Sequence, residues 1–186
     1  MRIAIPILTL LLTLSISPVW GQKNTVLTEI IQRQVKGINR DTTMKSTELD
    51  NEYFIKKGKV TDGGISLTGF SKNGDIVKMV SWVGLSFGNE IFEYYYNNGK
   101  LIFVYEEFHS FVFDEKKSEL RHDTTEITFK GKYYFYKNKL INYVTTGHNR
   151  FEDDTVDPEQ TLLKESEANR LLLLRKLKTI RQHRVL

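Results

Sequence analysis

The sequence predicts an α+β fold, a curved antiparallel meander of about six or seven strands with one helix before it and a longer one after it. Three observations predict it. Between residues 51 and 147, β-branched and aromatic residues dominate and are broken up by turn dipeptides. Three of those dipeptides, Asp62-Gly63, Asn73-Gly74 and Asn98-Gly99, suit type I′ hairpins, because both central residues of that turn need positive φ. On either side of the stretch, apolar residues recur at spacings of three and four, the period of a helix with one buried face.

The elements follow in chain order. Met1-Arg2 and the apolar run Ile3–Trp20 read as a secretory signal peptide, with cleavage expected after Gly21 and an exported, periplasmic or secreted product. Val26, Leu27, Ile30, Ile31, Val35 and Ile38 place a helix over 25–38, with Asn24 as its N-cap and Gly37-Ile38-Asn39 as its stop. A polar connector, Arg40–Asp50, leads to the strands. Lys137-Asn138 is a fourth, weaker hairpin turn. At Asn98-Gly99 a two-residue loop pairs Tyr96 with Leu101, Tyr95 with Ile102, Tyr94 with Phe103 and Phe92 with Tyr105. That register puts Phe92, Tyr94, Tyr96, Leu101, Phe103 and Tyr105 on one face. Tyr95, Ile102 and Val104 fall on the other, with Glu93 among them. At the second hairpin Lys72 faces Asp75 as an exposed ion pair. Both faces of the central strands are thus apolar, where a half-wet sheet would alternate cleanly. The two helices are expected to cover one face, leaving the other to curvature, a second layer, a partner or a ligand. Last, Asp157-Pro158 supplies an N-cap and a first-turn proline, with Gln160 at capping-box spacing, for a helix of about 27 residues.

The expected organisation is therefore a signal peptide (1–21), a helix-plus-meander domain (22–156) and a C-terminal helix (157–186). With 40% hydrophobic and 27% charged residues, the chain is neither disordered nor a polytopic membrane protein. The absence of cysteine excludes disulfides, thiolate metal sites, thiol catalysis and lipid attachment through an N-terminal cysteine.

Charge is unevenly placed. Arg170, Arg175, Lys176, Lys178, Arg181 and Arg184 lie in a tail without acids, and these six outnumber the net charge of +4, so the remainder is slightly acidic. The late cations complement the helix dipole, and they also make Arg175, Lys176, Lys178, Arg181 and Arg184 a candidate surface for an anionic membrane or an acidic partner. No nucleic-acid recognition motif is present.

Catalytic motifs are absent. His109, His122, His148 and His183 form no HExxH or HxH pair, and no GxSxG, Walker or dinucleotide glycine set occurs, so neither metal nor cofactor is expected. Glu152-Asp153-Asp154 with Asp157 lacks the calcium-loop pattern and reads as a solvated linker. Glu93, Glu106 and His109 are the candidate trio for a hydrolase, because paired carboxylates flanking a cleft can cleave glycosides. Tyr94, Tyr95, Tyr96, Phe103, Tyr105 and Tyr134 are the candidate ligand-binding residues, read against the alternative that Tyr and Phe simply fill a cysteine-free core.

The block Tyr94–Leu101 resembles the YYxNGKL hairpins of MORN-like bacterial repeat proteins, with a poorer echo at Phe70–Ile76. The family's regular period and paired glycines are missing, so the resemblance implies a hairpin and carries no function. At the level of fold alone, the layout looks like the open half-barrels of periplasmic lipid and lipoprotein carriers. The functional expectation is an exported non-enzymatic protein that binds an apolar small molecule, a peptide or a protein partner through its sheet. The alternatives are an envelope-associated protein docking through its last helix, and a hydrolase using the Glu93, Glu106 and His109 trio.

Overall fold

The computed structural model describes residues 19–148, 150–152 and 155–183. The elements run α1 (Val19–Arg40), β1 (Lys45–Leu49), α2 (Asn51–Lys56), β2 (Gly64–Lys72), β3 (Asp75–Leu85), β4 (Gly88–Asn97), β5 (Lys100–Asp114), β6 (Glu119–Tyr136), β7 (Lys139–Thr146) and α3 (Pro158–His183). The strands form one seven-stranded antiparallel sheet in sequence order, open, with β1 and β7 at its edges. Most of the segment read as a signal peptide, residues 1–18, lies outside the described residues, and Val19–Gly21 opens α1.

Turn chemistry sets the meander. Asn73-Gly74, Asn98-Gly99 and Lys137-Asn138 each join consecutive strands, and all six residues have positive φ, from 49° at Asn98 to 93° at Gly74. Asp62-Gly63 departs from expectation. It closes a turn in which the Gly64 N–H donates to Thr61 O at 3.2 Å, but the segments it joins are not paired strands. The residues before it form α2, capped by Asp50, whose side chain accepts the Tyr53 N–H at 2.9 Å. The expected polar connector supplies β1, which pairs with β2 from Lys45–Ser71 to Leu49–Leu67.

The β4–β5 register also needs correcting. Tyr96 pairs with Leu101 as expected, but a bulge follows, so Tyr95 faces Phe103, Tyr94 faces Val104 and Phe92 faces Glu106. Ile102 is the extra residue. Phe103 and Tyr105 therefore join Tyr95 on one face, and Val104 and Glu106 join Phe92 and Tyr94 on the other. Lys72 does lie opposite Asp75, but its ammonium pairs with Asp41 instead.

The two helices divide the faces between them, where both were expected on one. Helix α3 covers Leu67, Met79, Tyr94, Tyr96 and Phe135 with Leu162 and Leu173, all nearly inaccessible to solvent. Helix α1 lays Ile31, Val35 and Ile38 over Tyr95, Ile102, Phe103 and Tyr134. Burying a sheet on both sides explains why its central strands are apolar on both. Val26 and Ile30, expected in the buried stripe of α1, are exposed. Helix α1 also runs beyond both expected limits. Asn24 does not cap it but donates to Ile141 O of β7 at 3.1 Å, and Asn39 accepts from Lys78 Nζ at 3.0 Å.

Helix α3 starts where the sequence places it. Asp157 Oδ1 accepts the Glu159 N–H at 2.8 Å, and Glu159 ties the first turn to β7 by accepting the Leu140 N–H at 2.7 Å. From there α3 crosses towards β2. At Gly69 the approach is so close that a Cβ would sit 2.7 Å from a Leu173 methyl. The helix follows the hairpin ends of the strands, where Tyr96 donates to Ser166 O at 3.1 Å. The start of β4 and the middle of β5 and β6 carry Glu90, Glu106, Phe108 and Phe129 and lie beside the segment that joins β7 to α3. Among the described residues, no helix is long and apolar enough to cross a membrane.

Candidate functional site

This part of the sheet forms a cleft of about 400 Å³ lined by Leu85, Phe87, Glu90, Glu106, Phe108, Phe129, His148 and Arg150. The sheet explains its make-up. Glu90 and Phe92 are two apart on β4 and point the same way, and Phe108 and Glu106 of β5 stand opposite them. Phe129 of β6 faces Phe108. Phe87, from the β3–β4 turn, leans on Phe108 with ring centroids 5.5 Å apart.

Arg150 enters from the segment after β7. Its two terminal nitrogens donate to the two Glu165 oxygens at 2.8 Å each, the bidentate fork that suits guanidinium and carboxylate. Its plane rests against Phe92 and Phe151, at 4.9 and 4.8 Å from the ring centroids. Burial works against its charge, but the Glu165 pair and the nearby Glu106 and Glu90 carboxylates outweigh that and keep it charged.

Glu106 is the exceptional group. It is 3% exposed, yet its Oε2 makes no hydrogen bond. Arg150 Nε lies 3.8 Å from Oε1, too long for a hydrogen bond, and is itself unpaired. The Tyr133 hydroxyl lies near enough to lower the Glu106 pKa a little without closing a bond of good geometry. Burial dominates and, against the pull of Arg150, pushes the Glu106 carboxyl up to about 7. Burial raises Glu90 too, with Arg150 opposing and Glu165 reinforcing. A neighbouring recess of about 260 Å³ shares Glu90 and Arg150 with the cleft and reaches Tyr94 and Lys59.

The structure separates the trio of Glu93, Glu106 and His109. Glu106 faces α3, whereas Glu93 and His109 lie on the α1 face, where both are already engaged. Glu93 accepts from Lys78 at 2.9 Å and from the Tyr95 hydroxyl, and His109 Nε2 lies 2.9 Å from Glu107, which also accepts from Tyr105. Burial acts to raise the Glu107 pKa, but those bonds outweigh it and hold the carboxyl low.

The six aromatic candidates also divide. Tyr94 and Tyr96 pack under α3, and Tyr94 reaches the recess beside the cleft. Tyr95, Phe103, Tyr105 and Tyr134 belong to the α1 face, where the Tyr134 hydroxyl accepts from Gln32 at 3.0 Å. Of the cationic candidates, Arg175 and Lys176 line a second cleft of about 430 Å³ with Lys57, Lys59, Tyr53, Phe54 and Leu172. Lys178 is exposed outside it, Arg184 lies outside the described residues, and only the backbone of Arg181 is described.

Sequence reading missed Glu90, Arg150 and Glu165. The signal for Glu106 was present: the doublet Glu106-Glu107 sits in an apolar strand, so alternation must turn one carboxylate to each face. Among the described residues, no group of acids and histidines is gathered as a metal site would need.

The fold and cleft together define an open seven-stranded meander with one helix on each face and an aromatic-walled pocket around a buried carboxyl. No family model matches the chain, and no curated protein or solved structure is significantly similar to it.

Proposed function

We propose that the chain is an exported, non-enzymatic binding protein whose cleft beside Glu106 takes an apolar small molecule. The observation that carries this reading is the cleft itself: aromatic walls around a few convergent polar groups, one of them a buried carboxyl with an oxygen that makes no hydrogen bond. Its volume lies in the range that small-ligand sites occupy, roughly 300–1,000 Å³. Export is supported by the character of residues 1–21. Removing those residues would shorten α1 by one turn and leave the Asn24 bond to β7 in place.

The test of binding is a thermal-shift screen of small aromatic and aliphatic compounds on the full mature chain, repeated with Phe87→Ala. Phe87 stands at the mouth and is 54% exposed, so its truncation should remove binding and spare the fold. Hits that bind Phe87→Ala unchanged place the ligand elsewhere. The test of export is the intact mass of protein made in its own host, expected to begin at Gln22.

A second reading, docking of the last helix on an anionic surface, is favoured by the other cleft. Lys57, Lys59, Arg175 and Lys176 surround it with no acid in its wall, and none of the four is in an ion pair among the described residues. Vesicles containing anionic lipid should bind the wild type and release Lys57→Glu/Lys176→Glu. Equal retention of both proteins removes this reading.

A further inference from the structure

Three carboxylates, Glu90, Glu106 and Glu165, share one close cation at this cleft, Arg150, whose Nε lies 3.8 Å from Glu106 without a hydrogen bond. Arg150 spends both terminal nitrogens on Glu165. Glu106 keeps one oxygen unpaired inside the protein, and Glu90 forms no hydrogen bond or ion pair among the described residues. A buried carboxylate without a donor is costly, and a ligand that brings N–H donors together with a positive charge removes that cost. A carboxylate ligand would add to the repulsion, and a neutral apolar one would leave it in place.

The walls agree. Phe87, Phe108 and Phe129 present aromatic rings around the same space, and ring faces attract cations while taking up apolar bulk. The pocket therefore has the two elements that recognise an organic ammonium ion: an acid for the charge and aromatic rings for its carbon body.

We infer that the cleft binds a small primary ammonium compound, its nitrogen on Glu106 with Glu90 alongside, and its apolar body between Phe87, Phe108 and Phe129. This rests on the binding reading given above and names its ligand class. Binding then favours the ionised form of Glu106. The empty site holds that carboxyl near 7, so affinity should rise with pH, by up to roughly tenfold per unit between about pH 5.5 and 7, and level off towards pH 8.

The other groups facing the cleft do not reverse this. Glu165 of α3 is paired with Arg150, and Arg150 stays charged. Tyr133 of β6 and Tyr94 of β4 stay neutral, held above ordinary phenol values by burial and by neighbouring carboxylates. Lys59 lies in the adjoining recess. His148 sits at the rim with its side chain 99% exposed. Its ring lies 3.0 Å from Glu152, and His148→Gln is measured in parallel.

The experiment is calorimetric titration of the full mature chain with three compounds of one shape: 2-phenylethylammonium, 2-phenylethanol and 3-phenylpropionate. At pH 8 the ammonium should bind at least tenfold more tightly than the alcohol, and the carboxylate should not bind. Glu106→Gln should bring the ammonium to the level of the alcohol, while Glu93→Gln, on the other face, should keep the preference. The pH dependence should persist in His148→Gln and fall in Glu106→Gln to the smaller part that Glu90 supplies, which Glu90→Gln/Glu106→Gln should remove. Equal affinity for ammonium and alcohol, or preference for the carboxylate, overturns this inference and leaves the apolar-ligand reading standing. An ammonium preference that survives Glu106→Gln also overturns it. If none of the three compounds binds the wild type, both readings fall.

Discussion

Replacing Glu106 with Gln should make the protein more stable at pH 8 than the wild type, with the gain shrinking as the pH falls. The folded chain holds this carboxyl near 7 against 4.5 for an unburied glutamate. Below about pH 4.5 both folded and unfolded chains keep the proton, and the group costs nothing through ionisation. Between 4.5 and 7 the unfolded chain releases its proton first, so the wild type loses about 1.4 kcal/mol of stability per pH unit. Above 7 both forms are ionised and the loss stops growing, at about 3 kcal/mol. Glutamine has nearly the same shape and no proton to release. Comparing the two proteins at pH 4 and pH 8, and taking the difference of differences, cancels every other titrating group that does not touch residue 106. Repulsion from Glu90 contributes to the raised Glu106 carboxyl and is already contained in that value. Urea denaturation followed by Trp82 fluorescence at the two pH values measures it. A stability difference that is equal at both, within about 0.5 kcal/mol, would refute the claim that Glu106 is buried without an adequate partner.

Three further outcomes follow from the packing. Gly69→Ala must displace Leu173 from its fully buried position and should cost about 1–2 kcal/mol, whereas Gly37→Ala, with open space around its Cβ in α1, should gain about 0.5–1 kcal/mol; thermal melts of the pair decide it. Asp157→Ala removes the acceptor at the start of α3 and should cost about 1 kcal/mol in urea denaturation, with most of it recovered in Asp157→Ser. Arg150→Ala strips Glu165 of a bidentate partner and leaves Phe92 and Phe151 without the guanidinium between them; with both charges a third exposed, a loss of about 1–3 kcal/mol is expected at pH 8.

What could be read from the chain was whatever is set by neighbours in sequence. Asn73-Gly74 and Asn98-Gly99 specify their turns by their own φ preferences, Asn138 does so for half of the third, and Asp157 marks a helix start as an acceptor for the first-turn N–H. Helix α2 was hidden because six residues are too few to show a 3.6 period, and β1 because an edge strand of polar sequence has no apolar alternation. The register was hidden for a different reason. The bulge at Ile102 carries no glycine and no local mark, yet it exchanges Phe103 for Val104 beneath α3. That one residue also decides the site. Without the bulge Glu106 would share a face with Glu93. With it, Glu106 stands opposite Phe92, among the rings that bury it. Arg150 and Glu165 were beyond reach, since only the path of the segment before α3 brings them to the strands.

The division of the sheet between two helices bears on where a ligand can go. An apolar sheet with one bare face would have offered its middle, and the Tyr and Phe residues there were the natural candidates. Once α1 and α3 each cover a face, those rings are occupied with core packing, and Tyr95, Tyr96 and Tyr134 use their hydroxyls within the protein. Space remains where a straight helix crossing the hairpin ends cannot reach. There the strands of the β4–β6 ribbon continue past it, and the segment before α3 closes over them with Arg150. A chain selected only for stability would fill such a gap with apolar side chains, because a buried, unpaired carboxyl is among the costlier groups to keep. Phe108, Phe129 and Leu85 already surround the position, so an apolar replacement would meet apolar neighbours. The ligand proposed above would supply the donors that Glu106 Oε2 lacks there, against the cost of that carboxyl in stability at neutral pH.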